Sequence, residues 1–533
     1  MNEQSLFDRY DVSPLLKKIV DGIAMSGNAN SPFQVHLQNL NGSSPVFVLQ
    51  HIFTHPQTAT YNHVIVLNDA EEAAYFYNSI ESITGAMDLF YFPSSFKTSQ
   101  NFNLLNPSHV MLRTEALTKL SMGGNKKIVV TYPEAFFEKV IMPKTLQENI
   151  IQIKTNDTLG LNDLMERLVQ YGFERTDFVY EPGQFALRGG IFDIYSFGNE
   201  KPYRVELFGE EVDSIRLFDP ETQLSERKLL QVNIIPNVTT QFEDTIKIPF
   251  MEFVPEHTVV WLKDWTLIQQ RGNDQMEALE AFLLHAPILK ITDDADTHKK
   301  NTDKDDFVAV EKVIEQVFNK PIIEWGFQAN LTKQKLAFST QVQPSFNRQF
   351  QYLIANLQEY EKKGYDLFLF AEQAKQLERL HAIFTDLKTE IQFTPIVKNI
   401  HEGFIDHDHK MVCYTDHQIF QRYHKYKVKQ AYSKNKAITL RTLSDLHPGD
   451  YVTHIDHGVG VYSGLQKIEV NGMMQEAVRI IYKDSDILYV NINSLHKISK
   501  YTGKEGTPPK VNKLGSDAWV KLKDKTKAKV KAI

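Results

Sequence analysis

EPGQFALRGGIFDIYSFGNEKPYRVELFGEEVDSIRLFDPETQ, residues 181–223, reads as a run of short strands: apolar and polar residues alternate along it, and Gly, Pro and Asn cluster where the runs break. Upstream, Ile150 to Lys154 predicts another strand. A helix then follows, with Asn162 near its N-cap, Leu164 and Leu168 four apart on one face, and Gly172 just past its end. Residues 149–236 therefore predict an α+β module whose meander presents side chains on a sheet face. Three arginines, Arg188, Arg204 and Arg216, fall at alternating positions, and Phe208 lies four residues from Arg204, on the same face if the strand is regular. The face is expected to be exposed and, on these residues alone, is read as a solvated sheet face; a protein interface is the competing reading, because Arg and aromatic residues dominate protein hot spots.

On either side of this module the texture is different. Val46 to Leu49, His63 to Leu67, Leu89 to Phe92 and Ile128 to Thr131 are apolar runs separated by helical patterns, which predicts strands of a parallel sheet with crossovers. The same α/β character returns over 237–345, with Val259 to Leu262, a helical Met276 to Leu284 and a polar loop at Thr292 to Lys304. One discontinuous domain, 1–148 and 237–345, with the module inserted, fits this order. A phosphate-binding sheet would need a glycine-rich turn and a lysine after its first strand, and no Gly or Lys occurs from Pro45 to Thr84. Residues 346–435 predict a small α/β unit, 436–443 a linker, and 444–500 an all-β module whose Asn471-Gly472 is a strong hairpin signal. Its short length predicts a strongly curved barrel with edge strands open to a partner's strand. In 501–533, Trp519, Leu522, Thr526, Val530 and Ile533 follow helical spacing and predict an amphipathic helix.

The length of 533 residues calls for several cores, and hydrophobic and charged contents of 42% and 23% are those of an ordinary globular chain. A single cysteine, Cys413, excludes an internal disulfide, and neither an export signal nor a membrane-spanning apolar run is present, so the cytoplasm is expected. Net charge is −7, yet from Lys497 onward 11 Lys face 3 acids, so most of the chain is a poor nonspecific binder of nucleic acid. His401, Glu402, Asp406, His407, Asp408 and His409 are read as a polar loop and His454, Asp456 and His457 as a turn, so no metal is expected. Cys413 in MVCYT is read as buried and inert, and no nucleophile elbow occurs, so no catalytic residue is assigned.

The 181–225 stretch resembles one shared by the excision-repair helicase UvrB and the bacterial transcription-repair coupling factors. The run LHPGDYVTHIDHGVGVYSGL at 446–465, with ILYVNINSLHKISKYTG at 487–503, separates the two, because it is similar to the polymerase-interacting module of the coupling factors and of CarD-type regulators and UvrB lacks it. The resemblance covers the chain in order and is weakest at 346–435, whose role it leaves open. It implies a degenerate helicase-type α/β domain, UvrB-like, with an inserted UvrA-binding module, a small α/β domain, a small β-barrel and a C-terminal helix leading toward a translocase. Arg188, Arg204 and Phe208 match positions where the family contacts UvrA, and Ile468 matches a hydrophobic contact with the RNA polymerase β subunit. It further implies a scaffold role without enzymatic activity. ATP and Mg, and most DNA contact, would belong to the family's motor domains, and no cofactor to these residues. A UvrB-like ATP-dependent damage helicase and a CarD-type transcription regulator are the competing readings.

Overall fold

The computed structural model describes residues 3–27, 31–220, 223–242, 245–285, 300–327, 331–426, 446–470, 473–491, 497–501, 509–515 and 519. The expected 436–443 linker, the Asn471-Gly472 turn, most of the 292–304 loop and the C-terminal helix beyond Trp519 lie outside them.

A seven-stranded sheet dominates the first compact unit, residues 1–148 and 238–429. Its spatial order is Gln334–Ala337, Gln34–Gln38, Ile322–Trp325, Thr258–Lys263, Asn62–Val66, Ile128–Thr131 and Leu89–Phe92, and every neighbouring pair is parallel. Strands from both sides of the insert thus interleave in one sheet. Continuous apolar strands such as Thr258–Lys263 follow from burial on both faces. The crossover helix Ala70–Thr84 begins where Asp69 accepts a hydrogen bond from the Glu72 N–H and ends at left-handed Gly85.

One expected strand is a helix. Val46 to Leu49 belongs to the helix Ser44–Thr54, where all four residues are buried and Pro45 occupies the first turn. A short apolar run cannot be told from a buried helix by periodicity, and the proline at a helix start is the signal that decides it. The first strand of the sheet is Gln34–Gln38, QVHLQ, which its polar residues concealed.

Residues 346–426 surround their own core of Leu353, Leu357, Leu377, Leu380, Phe384 and Tyr414. Their mixed five-stranded sheet runs Thr340–Val342, Phe404–Asp406, Met411–Thr415, Asp366–Phe370 and Thr394–Ile396. Its outer strand Thr340–Val342 precedes residue 346, and the Phe47 ring meets Phe404 edge-on at 5.3 Å and Phe370 at 6.1 Å. The small sheet and the large one therefore share buried surface inside one unit.

The insert forms a six-stranded sheet, Ser225–Leu229, Glu211–Phe218, Tyr203–Phe208, Ile191–Ile194, Gln184–Arg188 and Glu174–Arg175, of which the first five are an antiparallel meander and the last pairs parallel. One face buries Phe185, Phe192, Ile194, Val205, Val212 and Ile215 against Leu164 and Leu168 of the helix Leu161–Gln170. The incoming strand Ile151–Lys154 and the outgoing strand Gln231–Ile234 pair antiparallel, which fastens the insert at its base.

After Leu446 an antiparallel sheet runs Ile487–Asn491, Met473–Ile481, Gly458–Val470, Tyr451–His454 and Ile498–Lys500. Val452, Tyr462, Val478, Ile480, Tyr482 and Val490 form its core. The long strand slips register between Tyr462 and Leu465, where Gly464 takes φ +94°, and such a bulge bends the strand. Among the described residues no ladder joins the two outermost strands.

Candidate functional site: two docking faces, a covered phosphate turn and a histidine cluster

On the meander face opposite the core, strand alternation places Asp193 between Arg188 and Arg204, with Asp193 directly across from Arg204 and Arg204 across from Arg216. Asp193 is wholly buried. Arg204 grips it with both ends of the fork, Nε donating to Oδ1 at 2.8 Å and Nη2 to Oδ2 at 2.8 Å, while its Nη1 donates to the Gln223 carbonyl at 2.9 Å. Arg188 Nη2 donates to the same carboxylate at 2.7 Å and Nη1 to the Asp177 carbonyl at 2.8 Å. The two guanidiniums lie over Phe178 and Phe218, each 4.3 Å from the ring centre. One carboxylate against two guanidiniums leaves local positive charge held in fixed orientation.

The expectation of an exposed arginine face is corrected here. Side-chain exposure is 12% for Arg204 and 21% for Arg188, because a buried acid between the strands needs cationic partners and draws both in. Phe208 differs: it is 85% exposed at the hairpin end, beside Gly209 at φ +65°. The ladder shifts register between Glu206 and Leu207, with the extra residue on the partner strand, so Phe208 keeps the parity of Arg204 while Leu207 packs toward the core. Sequence reasoning missed Asp193; a lone acid inside IFDI, flanked by arginine-bearing strands, was the available signal.

In the C-terminal sheet, Ile468 is half-buried on Gly458–Val470 and pairs with Gln475. On this long strand Tyr451–His454 pairs with Gly458 to Val461, and among the described residues no ladder on that side reaches Ile468. Leu465, 44% exposed, lies on the same stretch. A strand segment whose ladder ends early is a template for an added strand.

With Gln34–Gln38 identified as the first strand, the strand–turn–helix of a phosphate site lies at Asn39 to Ser44 and contains Gly42, at φ +57°. The turn is covered by the chain itself. Ser43 N–H donates to the Glu402 carbonyl at 3.0 Å, Glu402 N–H donates to Ser43 Oγ at 3.1 Å, and Asn41 N–H donates to Thr340 Oγ1 at 2.8 Å. A Cβ on Gly42 would stand 2.7 Å from the Gly403 carbonyl. No Lys or Arg occurs from residue 19 to 96, and the adjoining cavity of about 330 Å³ is lined by Asp69, Glu71 and Glu72, with Lys263 already paired to Glu72. Donors aimed at a carbonyl and a wall of acids disfavour a polyphosphate.

The histidine-rich run divides. His409 Nδ1 lies 2.8 Å from Asp406, which also accepts from Tyr10; Asp408 accepts the Ser339 N–H at 2.7 Å; His407 meets the Tyr365 hydroxyl at 2.8 Å. His401 instead joins His417 and His424, residues that sequence spacing did not connect: one ring nitrogen of each lies within 4.8 Å of the others. Burial lowers all three, His401 to about 4 and His417 to about 3, so the rings are neutral at pH 7. The Cys413 thiol is buried and pushed well above its usual range by desolvation, which makes it inert. No described helix is long and apolar enough to cross a membrane.

Comparison with known proteins follows this division. Residues 151–239 match the UvrB interaction domain and residues 446–502 the CarD-like/TRCF RID domain. Over 96% of its length the chain is 25% identical to the transcription-repair-coupling factor of Bacillus subtilis (strain 168), covering 47% of that protein. Over 88% it is 24% identical to the transcription-repair-coupling factor of Staphylococcus aureus (strain Mu50 / ATCC 700699), covering 46%. The chain spans just under half the length of the curated relatives it matches.

Proposed function

We propose that this chain, similar over most of its length to transcription-repair-coupling factors, is the scaffold part of such a factor: it docks on RNA polymerase and recruits UvrA for excision repair of the transcribed strand. The observation that carries this is the presence in one chain of a UvrB interaction domain at 151–239 and a CarD-like/TRCF RID domain at 446–502. A stand-alone helicase has no use for the second, and a transcription regulator none for the first.

UvrA would meet the meander face, with Phe208 entering a pocket of the partner and the Asp193-locked Arg188 and Arg204 presenting oriented positive charge at its edge. The β subunit of RNA polymerase would add a strand beside Ile468. ATP, Mg and most DNA contact would belong to motor domains of the longer relatives, and these residues would neither hydrolyse ATP nor need a cofactor. The α/β unit, its phosphate turn closed by Glu402, would serve as a rigid platform. Calorimetric titration against purified UvrA and, separately, against the β-subunit lobe tests the reading. Saturable binding to both is expected; binding to neither, or to polymerase alone, contradicts it.

A further inference from the structure

A groove of about 990 Å³ opens on the small α/β part of the first unit and is lined by none of the proposed docking residues. Its walls are the helix Ala374–Asp386, the end of the helix Phe350–Lys362 and the outer strand Thr394–Ile396. The floor is apolar. Buried Leu367, Leu377 and Ile391 lie in it with half-buried Phe393, whose ring is held edge-on to Phe384 of the core at 6.0 Å. Along the helical wall, Ala374, Leu377, Glu378 and His381 recur at helical spacing, so about two turns of one face border the groove.

The rim is acidic. Glu361, Asp366 and Glu378 line the groove, and no Lys or Arg does. Asp366 is engaged by Arg9, whereas Glu361 and Glu378 are exposed and form no ion pair among the described residues. Two neighbouring cations are turned elsewhere: Lys363 donates to Glu359 at 2.6 Å, and Arg379 lies 5.0 Å from the centre of the Phe420 ring. The outer strand is a poor template for an added strand. Ile396 turns its carbonyl inward to the Ala371 N–H at 3.1 Å, so Pro395 faces the open side, where it has no N–H to donate.

We propose that this groove docks a basic amphipathic helix of a partner protein, with apolar residues at helical spacing packed on Leu377, Ile391 and Phe393 and flanking Lys or Arg residues meeting Glu361 and Glu378. An apolar floor beneath two unneutralised carboxylates is complementary to an apolar stripe bordered by cations. A phosphate backbone or an anionic lipid surface would meet like charge there. The helical wall suits a helix laid in a groove, and the proline on the open edge disfavours the other common mode, a strand added to the sheet.

The test is fluorescence anisotropy of a labelled peptide of about 14 residues, Leu and Lys placed so that one helical face is apolar, titrated with the full chain. Saturable one-to-one binding that weakens as salt is raised is expected. Glu361→Lys combined with Glu378→Lys should weaken it by about tenfold or more, and so should Ala374→Trp, which fills the groove and leaves its charge alone. Glu311→Lys combined with Glu315→Lys makes the same change in charge on the exposed face of another helix of this unit and should alter affinity by less than about twofold. A scrambled peptide of the same composition, without an apolar face, should bind about tenfold more weakly. Melting temperatures show which variants are folded, and Ala374→Trp reads the groove if the double rim variant is not. No saturable binding by the parent chain, equal losses in the rim and control variants, a scrambled peptide that binds as tightly, or binding that neither the rim variant nor Ala374→Trp weakens overturns the proposal.

Discussion

The turn at Asn39 to Ser44 and the meander face around Asp193 are both concentrations of polar groups on rigid elements, and they differ in where those groups point. At the turn, the N–H donors that could cradle a phosphate are bonded to Glu402 and Thr340 of the same unit, and Gly42 has no room for a ligand atom beside Gly403. On the meander, internal bonds fix two guanidiniums while an apolar ring, Phe208, stays in solvent. Internal satisfaction thus has opposite meanings. It occupies the donors of the first region and, in the second, fixes two guanidiniums beside a ring left in solvent.

The largest effect should come from Arg204. Replacing it with Ala removes two of the hydrogen bonds that neutralise a buried carboxylate, and because Arg188 stays, the loss of stability should be about 3 kcal/mol, near the low end for breaking a buried pair. Urea unfolding checks this; an unchanged midpoint would mean that the arginines are as free as the sequence suggests. Loss of UvrA binding in Arg204→Ala therefore cannot by itself locate the interface.

Phe208→Ala is the cleaner probe. Truncating an exposed ring should change stability by less than about 0.5 kcal/mol, yet weaken UvrA binding by about 30-fold if it is a hot spot worth about 2 kcal/mol. Calorimetry on the folded variant decides, and retained affinity would move the interface off this hairpin. Ile468→Arg should weaken polymerase binding less, by about tenfold, because the residue is already half-buried in the free chain. Pull-down titration of the β-subunit lobe reads this, and undiminished binding places the contact on another edge.

The smallest effect is expected at the Asn39 to Ser44 turn. Millimolar ATP with Mg²⁺ should leave the melting temperature unmoved, whereas a ligand at 100 times its Kd would stabilise the chain by about 2.7 kcal/mol. An upward shift would show that the Glu402 loop opens and that the turn is not closed.

Much of this architecture can be read from residues alone, and the exceptions have physical causes. Alternation with Gly-rich turns marks the meander strands because one sheet face is an apolar core and the other carries the polar group built on Asp193. Val46 to Leu49 misleads because a helix buried all round has the same apolar signature as a buried strand, and QVHLQ hides because its buried His36 looks polar. The proposed docking positions Arg188, Arg204, Phe208 and Ile468 come from matched motifs, whereas the way Asp193 immobilises the arginines depends on register between three strands. His401, His417 and His424 are 16 and 7 residues apart across a hairpin and a short helix, a separation no local motif encodes.

On the proposed function, one nucleotide-free chain carries both docking surfaces at once. Light scattering on a column loaded with the chain, UvrA and the RNA polymerase β-subunit lobe, without ATP, tests it directly. A single peak containing all three components is expected, from which Phe208→Ala loses UvrA alone and Ile468→Arg loses the lobe alone. Mutually exclusive binding of the two partners, or a ternary peak that forms only when ATP is added, would contradict it.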